Sequence, residues 1–210
     1  MEKREIDLTV SCYGKVKDVE YDVVILPWGA TEPHNLHLPY LTDCILPHDI
    51  AVDAATLALE HSGVRCMVMP PVPFGAHNPG QRELPFCIHT RYSTQQAILE
   101  DIVASLYAQG MRKLIIVSGH GGNNFKGMIR DLAFVYPDFL IIRKDEMGFV
   151  IDILEPHDGT RTDNLGKAKG FAEYARQNPG VGRLQLIRLL NGRIKRLDMS
   201  RSAVRDRVSH

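Results

Sequence analysis

The alternation of short β-branched runs with helical segments is the feature that most constrains how this chain folds. Four apolar runs, at residues 21–27, 64–69, 113–117 and 139–142, are rich in Val and Ile and have the length of buried strands. Segments with apolar residues at helical spacing separate them. This pattern is typical of a parallel sheet with helices on both faces. We therefore predict a three-layer α/β/α fold with a mostly parallel sheet, whose site lies at the carboxyl ends of the strands.

The charges are divided unevenly between two parts of the chain. Lys and Arg total 25 and Asp and Glu total 25, yet residues 1–141 hold 11 basic and 16 acidic side chains. Residues 142–210 hold the remaining 14 basic and 9 acidic ones. We predict an α/β domain over 1–141 and a divergent basic extension over 142–210.

The end of that extension has three interpretations. Residues 183–210 hold eight basic and two acidic side chains among Leu and Ile. They could form an amphipathic helix that docks on the acidic part or on a partner subunit. They could instead bind nucleic acid or a membrane surface, which the lack of interleaved aromatic residues disfavours. They could also be an incomplete or non-native tail. The first and third interpretations are favoured.

Composition argues for a cytoplasmic protein. No apolar run approaches the ~20 residues of a spanning helix, and the first residues lack the apolar core of a secretion signal. The four cysteines are scattered, as in a reducing compartment. Zero net charge provides no global attraction to nucleic acid or anionic membranes. We expect neither of these partners.

Polar side chains follow two of the predicted strands. Glu32 and His34 are two residues apart, so in extended backbone they share a face. Asp43 precedes the first predicted helix, which we place from about Pro47, and could fold back onto that face. His120 follows another strand, whose end can lie next to the first in a parallel sheet.

Imidazole and carboxylate donors together favour zinc, manganese or iron. A carboxylate can bridge two cations about 3.5–4 Å apart, so we expect two divalent cations per subunit. His77 and His89, in a long loop, are candidates to line a substrate pocket. Competing motifs are absent, because the sequence contains no G-x-S-x-G and no H-E-x-x-H.

The two polar loops resemble one enzyme family. Residues 32–39 read E-P-H-N-L-H-L-P and are followed by Asp43, and residues 119–123 read G-H-G-G-N. Together they resemble the creatininase (creatinine amidohydrolase) family over roughly residues 20–141. The resemblance implies a three-layer α/β/α fold and a binuclear zinc or manganese site. It also implies hydrolysis of cyclic amides or related C–N bonds, and assembly into homo-oligomers that are often hexamers.

The resemblance also implies residue roles. It assigns four metal ligands, with the third as the bridge: Glu32, His34, Asp43 and His120. It makes His157 the candidate catalytic acid that protonates the leaving nitrogen. We expect four further residues to bind substrate, the last three stabilising a developing oxyanion through their backbone: His37, Gly121, Gly122 and Asn123.

We therefore expect a metal-dependent amidohydrolase that cleaves an amide-type C–N bond of a small substrate, either cyclic or amidine-like, through a hydroxide shared by two cations. The alternative is a catalytically impaired, metal-binding relative that acts as an assembly or regulatory subunit. That alternative rests on Gly122, Thr160 and Thr162, which stand where family members carry carboxylates. A nucleic-acid-binding module is a third, less favoured interpretation.

Overall fold

A five-stranded sheet forms the centre of the molecule in the computed structural model, which describes residues 5–145 and 151–153. Its strands lie in the order β2-β1-β3-β4-β5. They are β1 (Val23–Trp28), β2 (Cys66–Val68), β3 (Lys113–Ser118), β4 (Leu140–Asp145) and β5 (Ile151–Ile153). β1 pairs in parallel with β2 and β3, and β3 with β4, whereas β5 is antiparallel to β4. Four neighbouring strands are thus parallel, which confirms the predicted fold class.

Helices precede and connect the parallel strands. Within the described residues they are α1 (Tyr13–Val16), which precedes β1, and α2 (Thr42–Ser62), α3 (Pro79–Arg82), α4 (Tyr92–Ala108) and α5 (Lys126–Val135), which lie between strands. Among the described residues, no helix combines the length and apolar character needed to cross a bilayer.

Alternating side chains of β1 face two separate cores. Val23 and Ile25 pack with the buried side of α2, while Val24 and Leu26 pack with α4 and α5. This period of two is what a strand covered on both faces requires. The alanines of α2 let that helix lie close to the sheet, and four of them are fully or almost fully buried: Ala51, Ala54, Ala55 and Ala58. The two cores account for the three layers.

The first long helix begins earlier than the sequence predicts. We placed its start near Pro47, but α2 begins at Thr42 and contains Pro47. Proline lacks the N–H that would bond to the carbonyl four residues earlier, which here is Asp43. Asp43 therefore lies in the first turn of α2 and not in the preceding loop, which corrects our expectation.

The predicted division of the chain falls within the sheet. Strand β4 spans Leu140–Asp145 and so crosses the boundary that we placed between residues 141 and 142. The two-part division stays a prediction. Most of the basic extension, including residues 183–210, lies outside the described residues.

Candidate metal centre

The pairing of β1 with β3 brings two polar loops together. The parallel register runs as far as Trp28 opposite Ser118, and the N–H of Gly119 donates to the carbonyl of Trp28 at 2.9 Å. The segments that carry Glu32 and His120 therefore leave the sheet side by side. Because both follow carboxyl ends of neighbouring strands, their side chains meet above the same edge.

The first turn of α2 brings a third group to this edge. The Asp43 carbonyl packs so closely on both strand ends that an added Cβ at Gly29 or Gly119 would lie 2.3 or 2.2 Å from it. The carboxylate of Asp43 is thereby held between the two loops. Glu32, Asp43 and His120 are all buried, at 7–8% exposure.

Asp43 contacts two imidazoles, one with each carboxylate oxygen. Its Oδ1 lies 2.8 Å from Nε2 of His34, and its Oδ2 lies 2.9 Å from Nδ1 of His120. The same Nδ1 lies 3.0 Å from Oε1 of Glu32. The structure thus brings together the four residues that the sequence singled out, with Asp43 in the centre.

The outer nitrogen of each imidazole contacts a backbone carbonyl. Nδ1 of His34 lies 3.1 Å from the carbonyl oxygen of Glu32, and Nε2 of His120 lies 2.8 Å from that of Ala76. Because only a protonated nitrogen can donate to a carbonyl, the neutral tautomers turn their lone pairs toward Asp43. A lone pair facing a carboxylate is repulsive unless a proton or a cation lies between them. This arrangement is typical of metal-bound histidines, whose other nitrogen is fixed by a carbonyl or carboxylate.

The close approach of these groups shifts the pKa values of Glu32, Asp43 and His120. Burial raises the pKa of Glu32, and the neighbouring Asp43 adds to this effect against the charge of His120. Burial also opposes ionisation of Asp43, but hydrogen bonding to His120 and the charge of His34 outweigh it and lower the pKa of Asp43. Burial opposes protonation of His120, yet Asp43, the Ala76 carbonyl and Glu32 raise its pKa above the usual value. The centre therefore attracts positive charge.

His77 belongs to the same cluster, which sequence reasoning missed. Its Nε2 lies 3.2 Å from Oε2 of Glu32, and its ring centroid lies 4.8 Å from that of His120. Among the described residues, ligand atoms within 4.8 Å of one another define two overlapping groups. These are Glu32, His34 and Asp43, and Glu32, His77 and His120. We expected His77 only to line a pocket, because its loop has no periodic pattern that fixes its direction.

The other predicted site residues lie around this centre in different ways. His37 is exposed in the turn beyond His34, next to the fully exposed Leu36, and outside the cluster. Gly121 is exposed, and the part of the chain that the structure describes places no atom within 4 Å of an added Cβ there. His89 is also exposed, and its Nδ1 accepts the backbone N–H of His77 at 3.0 Å.

Asn123 has a structural role in the described chain. Its amide nitrogen donates to the Gly29 carbonyl at 3.0 Å, and its amide oxygen accepts the N–H of Ala76 and the side chain of Gln95, each at 3.3 Å. Its backbone N–H donates to His120 at 3.3 Å. These contacts engage the side-chain amide and the backbone N–H of Asn123. Stabilisation of an oxyanion by either N–H donor would therefore require breaking one of these hydrogen bonds. The predicted catalytic acid, His157, lies outside the described residues.

Comparisons with known proteins identify relatives of this chain in sequence and in fold. The creatininase (creatinine amidohydrolase) family model matches residues 8–172. A solved protein of Bacteroides fragilis NCTC 9343, assigned as a creatinine amidohydrolase, is 81% identical with a TM-score of 0.69. That match covers 70% of this chain and 58% of the other. A solved structure of creatininase with Mn is 22% identical with a TM-score of 0.56, covering 70% of this chain and 60% of the other.

A curated relative matches a shorter segment. Protein YagJ of Escherichia coli K12 is 32% identical over 76 residues, which are 36% of this chain and 31% of YagJ. The chain thus spans less than two thirds of each of these relatives. Because the family model matches well over half of the residues, the chain belongs to the creatininase family.

Proposed function

We propose that this protein is a metal-dependent amidohydrolase that cleaves an amide-type C–N bond of a small, cyclic substrate. The observation that carries the proposal is the position of Asp43 between two imidazoles, with His34 at 2.8 Å and His120 at 2.9 Å. A carboxylate with one histidine nitrogen on each oxygen is suited to bridge two cations. Membership of the creatininase family supports the same chemistry.

The described residues divide into two cation positions. Glu32, His120 and Oδ2 of Asp43 would hold one cation, and His34 with Oδ1 of Asp43 would hold the other. Imidazole and carboxylate donors favour zinc or manganese, with iron a further option. When bound, such a pair supplies an activated water at neutral pH and a Lewis acid that polarises the scissile carbonyl.

Other residues of the chain would serve the reaction around the cations. Gly121 lies beside His120, and no atom of the described residues lies within 4 Å of the position of an added Cβ, so a substrate oxygen can approach its backbone. His157 remains our proposal for the acid that protonates the leaving nitrogen. The carbonyls of Glu32 and Ala76 hold the rings of His34 and His120 in position.

The test measures metal content and hydrolysis in the same preparations. We expect about two equivalents of zinc or manganese per chain, from the bridging geometry, and hydrolysis of creatinine or another cyclic amide. Asp43→Asn and His120→Ala should each lose metal and activity, whereas Asp101→Asn, on the exposed surface of α4, should retain both. Full metal content in either centre variant would refute the site assignment.

The second candidate function is an impaired relative that acts as an assembly or regulatory subunit. It is favoured by Gly122, which offers no carboxylate beside His120. One equivalent of metal or none, with no turnover of any cyclic amide, would support it. We also propose that the protein forms a homo-oligomer and is cytoplasmic. The oligomer is tested by measuring the mass of the particle that the protein forms in solution.

A further inference from the structure

Position 122 has no room for any side chain. A Cβ at Gly122 would lie 2.0 Å from the carbonyl oxygen of Ala76 and 2.7 Å from Nε2 of His120. The obstacle includes backbone, so a rotamer change cannot relieve it. The segment of Ala76 and His77 therefore fills the space beside His120 that a longer residue at position 122 would need.

This segment is fixed from several sides. The Ala76 carbonyl accepts the Nε2–H of His120 at 2.8 Å, and the N–H of His77 donates to His89 at 3.0 Å. A Cβ at Gly75 would lie 2.5 Å from Ala30 and 2.9 Å from His120. The backbone thus has little freedom, and it directs the Cα–Cβ bond of His77 toward the centre, where the ring packs beside His120.

The imidazole of His77 is buried beside Glu32 without a hydrogen bond. Its side chain has no exposed surface, and neither ring nitrogen has a hydrogen-bond partner in the described structure. The 3.2 Å separation from Oε2 of Glu32 lacks hydrogen-bond geometry, and that oxygen already accepts Nε2–H of Gln81 at 3.0 Å. Leaving a buried imidazole unpartnered is costly, so a partner absent from the protein itself is indicated.

The separation of the two atoms suits a shared cation. Two ligands on a tetrahedral zinc, with bonds of 2.0–2.1 Å, lie about 3.3 Å apart. Nε2 of His77 and Oε2 of Glu32 are 3.2 Å apart. Glu32 also contacts His120 through its other oxygen, at 3.0 Å, so all three side chains converge on one position.

We propose that His77 is a protein ligand of the cation held by Glu32 and His120. The inference rests on the proposed metal centre and adds a ligand to it. The backbone segment that leaves no room for a side chain at position 122 is also the one that carries His77. That cation would then have four protein ligands, from Glu32, His120, Asp43 and His77, whereas the cation held by His34 and Asp43 gains none.

The experiment titrates the metal-free, full-length protein with Co²⁺ and follows its visible absorption, with bound metal counted by elemental analysis. We expect His77→Ala to weaken the binding of one of the two Co²⁺ equivalents by about 100-fold or more and to change its absorption, because losing a direct ligand should exceed the 10- to 100-fold effect of losing an outer partner. Free imidazole should restore the absorption, because it can occupy the vacated space and bind the cation. His61→Ala, at an exposed histidine of α2, is the matched control.

The possible results are distinct. Unchanged Co²⁺ affinity and absorption in His77→Ala would overturn the inference while leaving the metal centre standing. Wild-type protein that binds no Co²⁺ would overturn both proposals. If His77→Ala does not fold, His77→Gln is used, because glutamine keeps most of the volume and offers an oxygen donor. Its Co²⁺ absorption band should be shifted from that of the wild type. An unshifted band contradicts the assignment.

Discussion

Two glycines at the strand ends determine where Asp43 can lie. At Gly119 an added Cβ would lie 2.2 Å from the Asp43 carbonyl and 2.7 Å from Cγ of Pro47. Pro47 lacks the N–H that would have engaged that carbonyl, so the first turn of α2 can press against the sheet without losing a hydrogen bond there. The bridging carboxylate therefore depends on the absence of a methyl group at the strand end.

We predict that Gly119→Ala reduces the cation affinity of the protein and its free energy of unfolding. The added methyl group must move the first turn of α2, which carries Asp43, and overpacking of this kind costs roughly 1–3 kcal/mol. Gly121→Ala is the control, because none of the described residues has an atom within 4 Å of the position of its Cβ. Equal metal titrations for the two variants would show that the close approach does not position Asp43.

The residues of the centre differed in how far the sequence could identify them. Glu32, His34, Asp43 and His120 follow strands in recognisable motifs, so their convergence could be predicted, although their roles as ligands remain a proposal. His77 could not, because its direction depends on contacts of its backbone with His120 and His89, from distant parts of the chain. Gly122 indicated that a carboxylate is missing beside His120, but it carried no information on the direction of His77.

At the scale of elements, one amide connects three parts of the fold. Asn123 bonds to Gly29 after β1, to Ala76 in the long loop and to Gln95 in α4. It is buried at 2% exposure, so water cannot replace these bonds. The segment that carries His77 is thereby coupled to the sheet.

We predict that Asn123→Asp destabilises the protein by roughly 2 kcal/mol or more, since it removes the donor to Gly29 and buries a charge. Asn124→Asp is the matched control, because Asn124 is exposed and its side-chain oxygen accepts the N–H of Lys126, which aspartate can also do. Urea unfolding of the two variants measures the difference. A similar midpoint for both would contradict the proposed connection.

A second element-level contact links the first described residues to α2 and β2. Asp7 pairs with Val68, and its carboxylate accepts the N–H and hydroxyl of Thr9 at 2.9 and 2.6 Å and lies 3.1 Å from His48 of α2. Burial opposes ionisation of Asp7, but these hydrogen bonds and the charge of His48 outweigh it. The pKa of Asp7 is therefore below its usual 3.8.

We predict that Asp7 stabilises the fold only while it is ionised. A carboxylate with a lowered pKa contributes stability above its unfolded value near 3.8, and this contribution is lost as the pH falls through the lower folded pKa. Asp7→Asn should lower the free energy of unfolding at pH 7 by about 1–3 kcal/mol and flatten its decline below about pH 4. Denaturant unfolding between pH 3 and 7 measures the free energy of unfolding of wild type and Asp7→Asn. Plots of that free energy against pH that run parallel for the two proteins would refute this role.

The helix that carries Asp43 shows where local reasoning fails. Proline is common in a first helical turn, so we placed the start of the helix near Pro47. The structure begins α2 five residues earlier, at Thr42, because packing of that turn on Gly29 and Gly119 outweighs the local preference. The helix and its buried face were predictable, but its first turn depended on the sheet.

At the scale of the whole molecule, the parallel sheet could be predicted from the alternation of strands and helices. The order of the strands could not, because periodicity describes which side of a strand is buried and not which strand is its neighbour. The centre depends on that order, since β1 and β3 must be adjacent for Glu32 and His120 to meet. The antiparallel β5 was also not foreseen, as it lies beyond the segment with the alternating pattern.

The whole molecule should be more stable with cations bound, because the centre joins both strand ends to α2. Any ligand that binds the folded chain alone stabilises it, by about 2.7 kcal/mol at 100 times its Kd. For a protein of this size that corresponds to a rise in Tm of roughly 5–10 °C. We predict that EDTA lowers the Tm of zinc- or manganese-loaded protein by this amount, as measured by differential scanning calorimetry. Asp43→Asn should show no response to EDTA, and a wild-type Tm that is equally insensitive would mean that the buried carboxylates are stabilised by protons in place of cations.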